Sequence, residues 1–307
     1  MELTSEDFPA LFRDADRTSL EGQRQYTRAT GARLWAAVLA AVAAISSNFW
    51  LAGEVEVLGL VAAAFFVVAL GLEVWLLADR PEKDWYDGRA LAESAKTLAW
   101  RFAVGGAPFP VQEADADASL RFSEELAALR EDAPDVNIVL TGADVITEKM
   151  HALRQQDAAV RREAYIRGRI LDQQSWYAGK AEYNKHRAKT WKLILIALEF
   201  AGVILALVKA FGYLEVDIAS VTSAAIGAGA AWLGVRQHES LARSYTFASS
   251  ELWLVASRLR EVDDEHAWAA EVADAEEAIS REHTMWRAAR LASGAAMVRR
   301  HTHRHHG

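Results

Sequence analysis

The sequence predicts an all-α integral membrane protein. It is expected to have two transmembrane helical hairpins, four spans in all, and long helices outside the bilayer that form a coiled-coil-like bundle. Three observations point there. Four apolar runs stand out: Leu34–Ala52, Val57–Ala78, Leu193–Leu214 and Ile218–Val235. A bilayer core takes roughly 20 apolar residues per helix, and each run meets or nearly meets that length. The runs fall as two close pairs with a charged stretch between them, so one plan is used twice. Finally, no proline follows Pro134, which frees the second half to form very long helices. The first and fourth runs carry no charge at all, whereas a helix at the surface of a soluble core shows a polar stripe.

The chain has 307 residues, a net charge of −8 and 52% hydrophobic residues. A mean hydropathy of −0.01 averages greasy runs with a strongly charged remainder. The acid is spread through the polar parts, which argues against nucleic acid as a partner. With no cysteine, disulfides, thiolate metal sites and cysteine nucleophiles are excluded, and a reducing cytoplasmic face fits. The start is acidic (Glu2, Glu6, Asp7) and the first apolar run begins only at Leu34, so no secretory signal peptide is expected.

Flanking charge sets the orientation. Arg17, Arg24, Arg28 and Arg33 precede the first span, and Arg80, Lys83 and Arg89 follow the second. Lys180, Lys185, Arg187, Lys189 and Lys192 precede the third, and Arg236 and Arg243 follow the fourth. The two short turns carry Glu54, Glu56, Glu215 and Asp217. The positive-inside rule then expects a multi-pass protein of the cell inner membrane with both termini in the cytoplasm. Trp35, Trp50, Trp75, Trp191 and Trp232 lie near span ends, where amphipathic rings prefer the headgroup level.

The elements divide as follows. A first two-span module covers 1–145, with spans 34–52 and 57–78 and a loop or linker over 103–143. Pro81 should break or kink the helix leaving the second span. Gly105-Gly106-Ala107-Pro108-Phe109-Pro110 is a breaker cluster. The short run Val136, Ile138, Val139, Leu140 is read as a packed loop, since a lone strand is marginal. A second module covers 146–292, with spans 193–214 and 218–235. A helical pattern from Asp144 runs through Ile146, Met150, Leu153, Val160 and Ala164 towards the third span. After the fourth span, Leu241, Tyr245, Ala248, Leu252, Val255, Leu259 and Val262 alternate steps of four and three, a heptad seam. It breaks at Asp263–His266 and resumes at Trp268, Val272, Ala275, Ile279 and Trp286. Leu91, Ala95, Leu98 and Phe102 repeat that spacing after span two, so the modules are parallel repeats rather than inverted ones. Residues 293–307 form a flexible basic tail, whose histidines could take metal or anionic lipid.

The run from Tyr165 to Asn184 carries a basic residue (Arg169), Asp172-Gln173, Trp176-Tyr177, Lys180-Ala181 and Asn184 ahead of a helical hairpin and a long helix. This pattern resembles the SLATT family, the SMODS- and SLOG-associating two-transmembrane effector domains. Trp85-Tyr86, Gly88-Arg89, Ala92-Glu93-Ser94, Lys96 and Trp100-Arg101 resemble it more loosely in the first module, so the chain reads as tandem SLATT domains. The resemblance implies a bacterial inner-membrane effector of a conflict or antiphage system. Such an effector would oligomerise and permeabilise the membrane when a separate sensor protein detects a nucleotide-type signal. It brings Asp172, Gln173, Trp176, Tyr177, Lys180 and Asn184 as motif residues and no catalytic ones.

Two carboxylates inside the spans are pore or ion-selectivity candidates, Glu73 and Glu199. Each lies roughly 10 Å from the inner end of its span, at 1.5 Å of rise per residue. A charge in the membrane should face protein or water. A ring of such carboxylates on a homo-oligomer would favour cations; pairing with Arg80 or Lys192, or snorkelling, is the plainer role. Lys209 is read as snorkelling outward. Small residues recur every four in span one (Ala36, Ala40, Ala44) and span four (Ser223, Gly227, Ala231), which lets helices approach closely within or between chains. No GxxxxGK[ST], GxGxxG, HExxH or G-x-S-x-G pattern is present, so no enzyme activity, cofactor or metal site is expected. Two other roles fit the same features: a membrane scaffold or sensor that binds a cytoplasmic partner without conducting, and an ion channel.

Overall fold

A computed structural model describes residues 3–45, 50–51, 55–134, 136, 138, 141 and 144–280. The His-rich tail and Trp286 lie outside the described residues. The chain is all-α. Its helices are α1 (Ala10–Ile45), α2 (Val57–Asp79), α3 (Pro81–Val104), α4 (Asp115–Glu131), α5 (Glu148–Arg154), α6 (Ala158–Tyr165), α7 (Asp172–Ala210), α8 (Ile218–Arg236), α9 (His238–Glu261) and α10 (265–280). A π-helical turn, Ile166–Leu171, joins α6 to α7. One short ladder pairs Trp50 with Glu56 and Leu51 with Val55. Among the described residues α1 runs to Ile45, and Trp50–Leu51, inside the first apolar run, are extended.

The four apolar runs lie in helices long and apolar enough to cross a membrane. Pro81 does what its ring demands. It opens α3 at the first helical position, where its missing N–H costs nothing. The residue before it, Arg80, takes φ +48° and ends α2. The helical pattern from Asp144 is not continuous. Thr147 caps α5 by accepting a bond from the Met150 amide, and a turn at Gln155–Asp157 separates α5 from α6. Val160 is consequently exposed, while Met150, Leu153 and Ala164 are buried.

The helices fall into two compact units, each drawn from both halves of the chain. One, the polar unit, comprises Met1–Gly22, Lys83–Gly179 and the described residues from Ser244 onward. It holds the main apolar core. Leu91, Ala95, Leu98 and Phe102 of α3 are buried there, as are Ala248, Leu252, Val255 and Leu259 of α9. Trp268, Val272, Ala275 and Ile279 of α10 complete it. The breaker cluster is wedged into this core. Gly105 takes φ +75°. A Cβ at Gly106 would stand 2.4 Å from Val272 Cγ1, so only glycine lets the loop lie on α10. The Ala107 amide donates to the Ala269 carbonyl (2.8 Å), and two buried arginines hold the end of α3. Arg154 donates to the carbonyls of Phe102, Phe109 and Pro110. Arg161 donates to that of Val104. Val136 and Ile138 pack into the same core and neither is in a strand; Val139 and Leu140 of that run lie outside the described residues.

The other, apolar unit comprises Gln23–Glu82 and Lys180–Arg243 and contains the four apolar runs. Here the pattern inverts. None of the apolar window of α7 and 6% of that of α2 is buried, against 28% for α1. Leu60, Phe66, Val67 and Leu70 of α2 point outward, as do Ile196, Phe200, Val203 and Leu207 of α7. So large an exposed apolar surface is a membrane-facing or protein-facing surface, not a wetted one.

Candidate functional site

The polar unit is organised round one buried carboxylate. Glu276, on α10, is wholly buried beside Arg169 at 1% exposure. Glu276 accepts from Arg169 Nε (2.9 Å) and Nη2 (2.8 Å), from Thr97 Oγ1 (2.8 Å) and from the Tyr165 hydroxyl (3.0 Å). The π-helical turn delivers Arg169; α3 delivers Thr97, with Glu93 one turn earlier and 3.8 Å from Arg169 Nη1. Glu93 in turn pairs with Arg89 (2.7 Å). Burial opposes the charge on Arg169, but Glu276 outweighs it and holds the guanidinium above its ordinary pKa. Burial, then the Glu276 charge, pushes the Tyr165 phenol well up. Burial also pushes the Lys96 ammonium down, with Arg169 adding to it, where Lys96 lies over Phe8 and Phe12. A buried pair of this kind, with four hydrogen bonds onto one carboxylate, fixes one packing of three helices.

The motif residues spread along α7 and mostly bind it to α9. Gln173 and Tyr177 are buried, and Asp172 is exposed. The Trp176 and Tyr177 rings both pack on Tyr245, at 5.5 and 5.6 Å between centroids. In the apolar unit Lys180 lies over the Tyr183 ring. Asn184 is buried, donating to the Lys180 carbonyl (2.8 Å) with its Oδ1 2.7 Å from His238 Nδ1.

The two span carboxylates have different surroundings. Glu73 is ion-paired with Arg33 of α1, a partner other than Arg80 or Lys192. Glu199 is exposed on α7 beside Phe200, and among the described residues it has no ion-pair partner. Lys192, one of its expected partners, instead pairs with Glu239 (2.7 Å). Lys209 pairs with Asp217 (3.1 Å). The two small-residue stripes also part. Ala36 and Ala40 are buried within the unit. Gly227 and Ala231 are exposed, and a Cβ on Gly227 would touch nothing within 4 Å.

A cavity of about 620 Å³ opens among α1, α7 and α8 within the apolar unit. The two later helices run antiparallel. Gly202 meets Thr222, and Gly229 meets Leu195, where an added Cβ would stand 2.8 Å from Leu195 Cδ2. That register brings Arg187 level with Arg236. One end of the cavity is cationic and aromatic, with Arg187, Arg236, His238, Tyr183, Trp191 and Trp232. The other is aliphatic, with Leu34, Val38, Ile194, Leu198, Ala225 and Ala228. Arg236 stacks on Trp232 and Arg187 on Tyr183, each 5.6 Å from the ring. Among the described residues neither arginine meets a carboxylate. Burial, then Arg236 and Arg187, lowers the pKa of His238. The tryptophans were legible as span-end residues, but their convergence with two arginines on one cavity was not. Among the described residues no group of three or more His, Asp or Glu could hold a metal ion.

These features define an all-α protein with four membrane-length helices, an aromatic and cationic cavity between three of them, and a polar unit locked by a buried ion pair. Residues 9–162 match the family model of SMODS and SLOG-associating 2TM effector domain 3. Residues 165–286 match that of SMODS and SLOG-associating 2TM effector domain 1. The chain belongs to the SLATT family, as a tandem SLATT domain protein. Neither the curated proteins nor the solved structures yield a match.

Proposed function

We propose that this chain is an effector of the bacterial inner membrane that oligomerises and permeabilises it in a conflict or antiphage system. Family membership supports the effector role, since both matched domains are two-transmembrane effector domains. The observation that carries oligomerisation is Glu199. A carboxylate on a membrane-facing helix costs at least ~2.5–3.5 kcal/mol at the bilayer centre, somewhat less near its end. Within one chain Glu73 has its arginine, and Glu199 has no ion-pair partner among the described residues. Copies of α7 round a water-filled path would hydrate Glu199, and their carboxylates would favour cations. The exposed Gly227 and Ala231 give α8 a surface that another helix can approach closely. In this reading both termini and the polar unit are cytoplasmic, with the seams of α9 and α10 forming a coiled-coil-like bundle. A separate nucleotide-signal sensor acts on that bundle, and no enzymatic step is involved.

The test is ion flux. Purified chain in planar bilayers under a salt gradient should conduct, with cations preferred over anions. Glu199→Gln should shift the reversal potential towards zero selectivity, while Glu73→Gln should leave it near wild type. An unchanged reversal potential for Glu199→Gln removes the carboxylate ring. A second reading is favoured by Phe247, Trp253 and Leu254, exposed on α9 in the polar unit. They would suit a scaffold that docks a partner without conducting. Expression with a membrane-potential dye separates the two: depolarisation supports the pore, an intact potential the scaffold.

A further inference from the structure

The cavity among α1, α7 and α8 has the chemistry of a lipid site. Its residues order themselves by depth. Arg187 to Leu198 on α7, and Arg236 back to Ala225 on α8, are each eleven residues, about 16 Å at 1.5 Å per residue. Charge therefore sits at one end of the cavity and mainly aliphatic side chains at the other, with Trp35 of α1 also in the lining. The volume, about 620 Å³, is that of a small-molecule site. Two guanidiniums converge on His238 with no carboxylate to neutralise them among the described residues. Tyr183 and Trp232 hold them in place by stacking on their faces. Arg187 Nε donates to the Tyr183 hydroxyl (3.3 Å), and the terminal guanidinium nitrogens of both arginines remain to bind an anion in their plane. The small residues Ala225 and Ala228 line the aliphatic end.

We propose that this cavity holds one anionic phospholipid, its phosphate between Arg187 and Arg236 and an acyl chain running down to Leu198 and Ala225. The charge complementarity selects an anion. The aliphatic depth selects a lipid over a free phosphate, which would leave most of the cavity empty. Basic pockets between membrane helices take anionic headgroups on these terms. The inference rests on the membrane reading of the four apolar helices but not on pore formation, because it is read as binding.

Full-length chain, delipidated in neutral detergent, is titrated with phosphatidylglycerol, phosphatidylcholine or soluble glycerol phosphate. Native mass spectrometry then counts the adducts per protomer. Phosphatidylglycerol should occupy one site ahead of phosphatidylcholine, and glycerol phosphate should not compete. Each arginine accounts for about fivefold of that preference, so Arg187→Gln with Arg236→Gln should abolish it. Ala228→Phe, which fills the aliphatic end and keeps both charges, should remove the adduct whatever the headgroup. Equal retention of the two lipids by the wild type overturns the proposal. So does an undiminished preference in the arginine variant, or displacement by glycerol phosphate alone. A non-conducting protein that still binds one anionic lipid would sink the pore and leave this site standing.

Discussion

Removing the Glu276 carboxylate should be among the most damaging single changes available in the polar unit. The side chain is wholly buried and accepts four hydrogen bonds, two from Arg169 and one each from Thr97 and Tyr165. Glu276→Ala leaves a guanidinium at 1% exposure without its carboxylate, and two hydroxyls without an acceptor. Breaking one side of a buried pair costs about 3–5 kcal/mol. At about 2–4 °C per kcal/mol for a chain of this order of size, the melting temperature should fall by about 6–20 °C. The pair itself need not be net stabilising, because taking two charges out of water offsets most of their attraction. Arg169→Met combined with Glu276→Leu should therefore recover most of the loss. The assay is thermal unfolding of the full chain in detergent, for Glu276→Ala and for Arg169→Met, Glu276→Leu and their double, the last three closed as a mutant cycle. A loss under about 1 kcal/mol in Glu276→Ala would refute the reasoning. A double variant as unstable as the single would refute it too, since the damage would then come from lost packing and not from a stranded charge.

Two further outcomes follow from the apolar unit. Gly227→Leu meets open space in the single chain, so its melting temperature should stay within a degree or two of wild type while the oligomer on native gels is lost; a normal oligomer counts against α8 as an assembly surface. His238 is 3% exposed, and burial, then Arg236 and Arg187, lowers its pKa below the unfolded value of about 6.5. A base held neutral by the fold leaves stability complete above that unfolded value and erodes it as pH falls towards the folded one, by at most about 1.4 kcal/mol per pH unit. Melting of delipidated chain between pH 7.5 and 5.5 should show this slope, and His238→Gln should flatten it; an identical slope in both would clear His238 of the effect.

Long apolar runs are legible because length and hydrophobicity suffice to recognise a membrane helix, whatever it packs against. Seams are legible for a similar reason. Leu91, Ala95, Leu98 and Phe102 recur at helical spacing, and all are buried. What failed was local. Trp50–Leu51, inside the first apolar run, pair with Val55–Glu56 as short strands, because hydropathy cannot tell a helix from an extended pair. The pattern from Ile146 to Ala164 crosses a turn at Gln155–Asp157, where no glycine or proline announces one. The largest gap concerns assembly. The sequence repeats along the chain, whereas the compact units are each built across both halves, and a repeat says nothing about which partner its helices choose.

The buried pair shows how a site hides. Arg169 and Glu276 are 107 positions apart, and each alone has the composition of a wetted surface. The signal was nevertheless present. Val272, Ala275 and Ile279 mark the buried face of α10, and Glu276 stands on that same face, one position from Ala275 and one turn from Val272. A carboxylate on an apolar seam must find a cation and hydroxyl donors, or the helix could not dock. Arg169 lies one turn from buried Tyr165, and Thr97 one turn from Glu93, so each supplies such groups at helical spacing. The cavity arginines were hidden in the opposite way. Arg187 and Arg236 count among the charges flanking the spans, and a count yields an expected orientation while discarding position. Only the antiparallel register of α7 on α8, seen in Gly202 against Thr222 and Gly229 against Leu195, brings two flanking charges into the lining of one cavity.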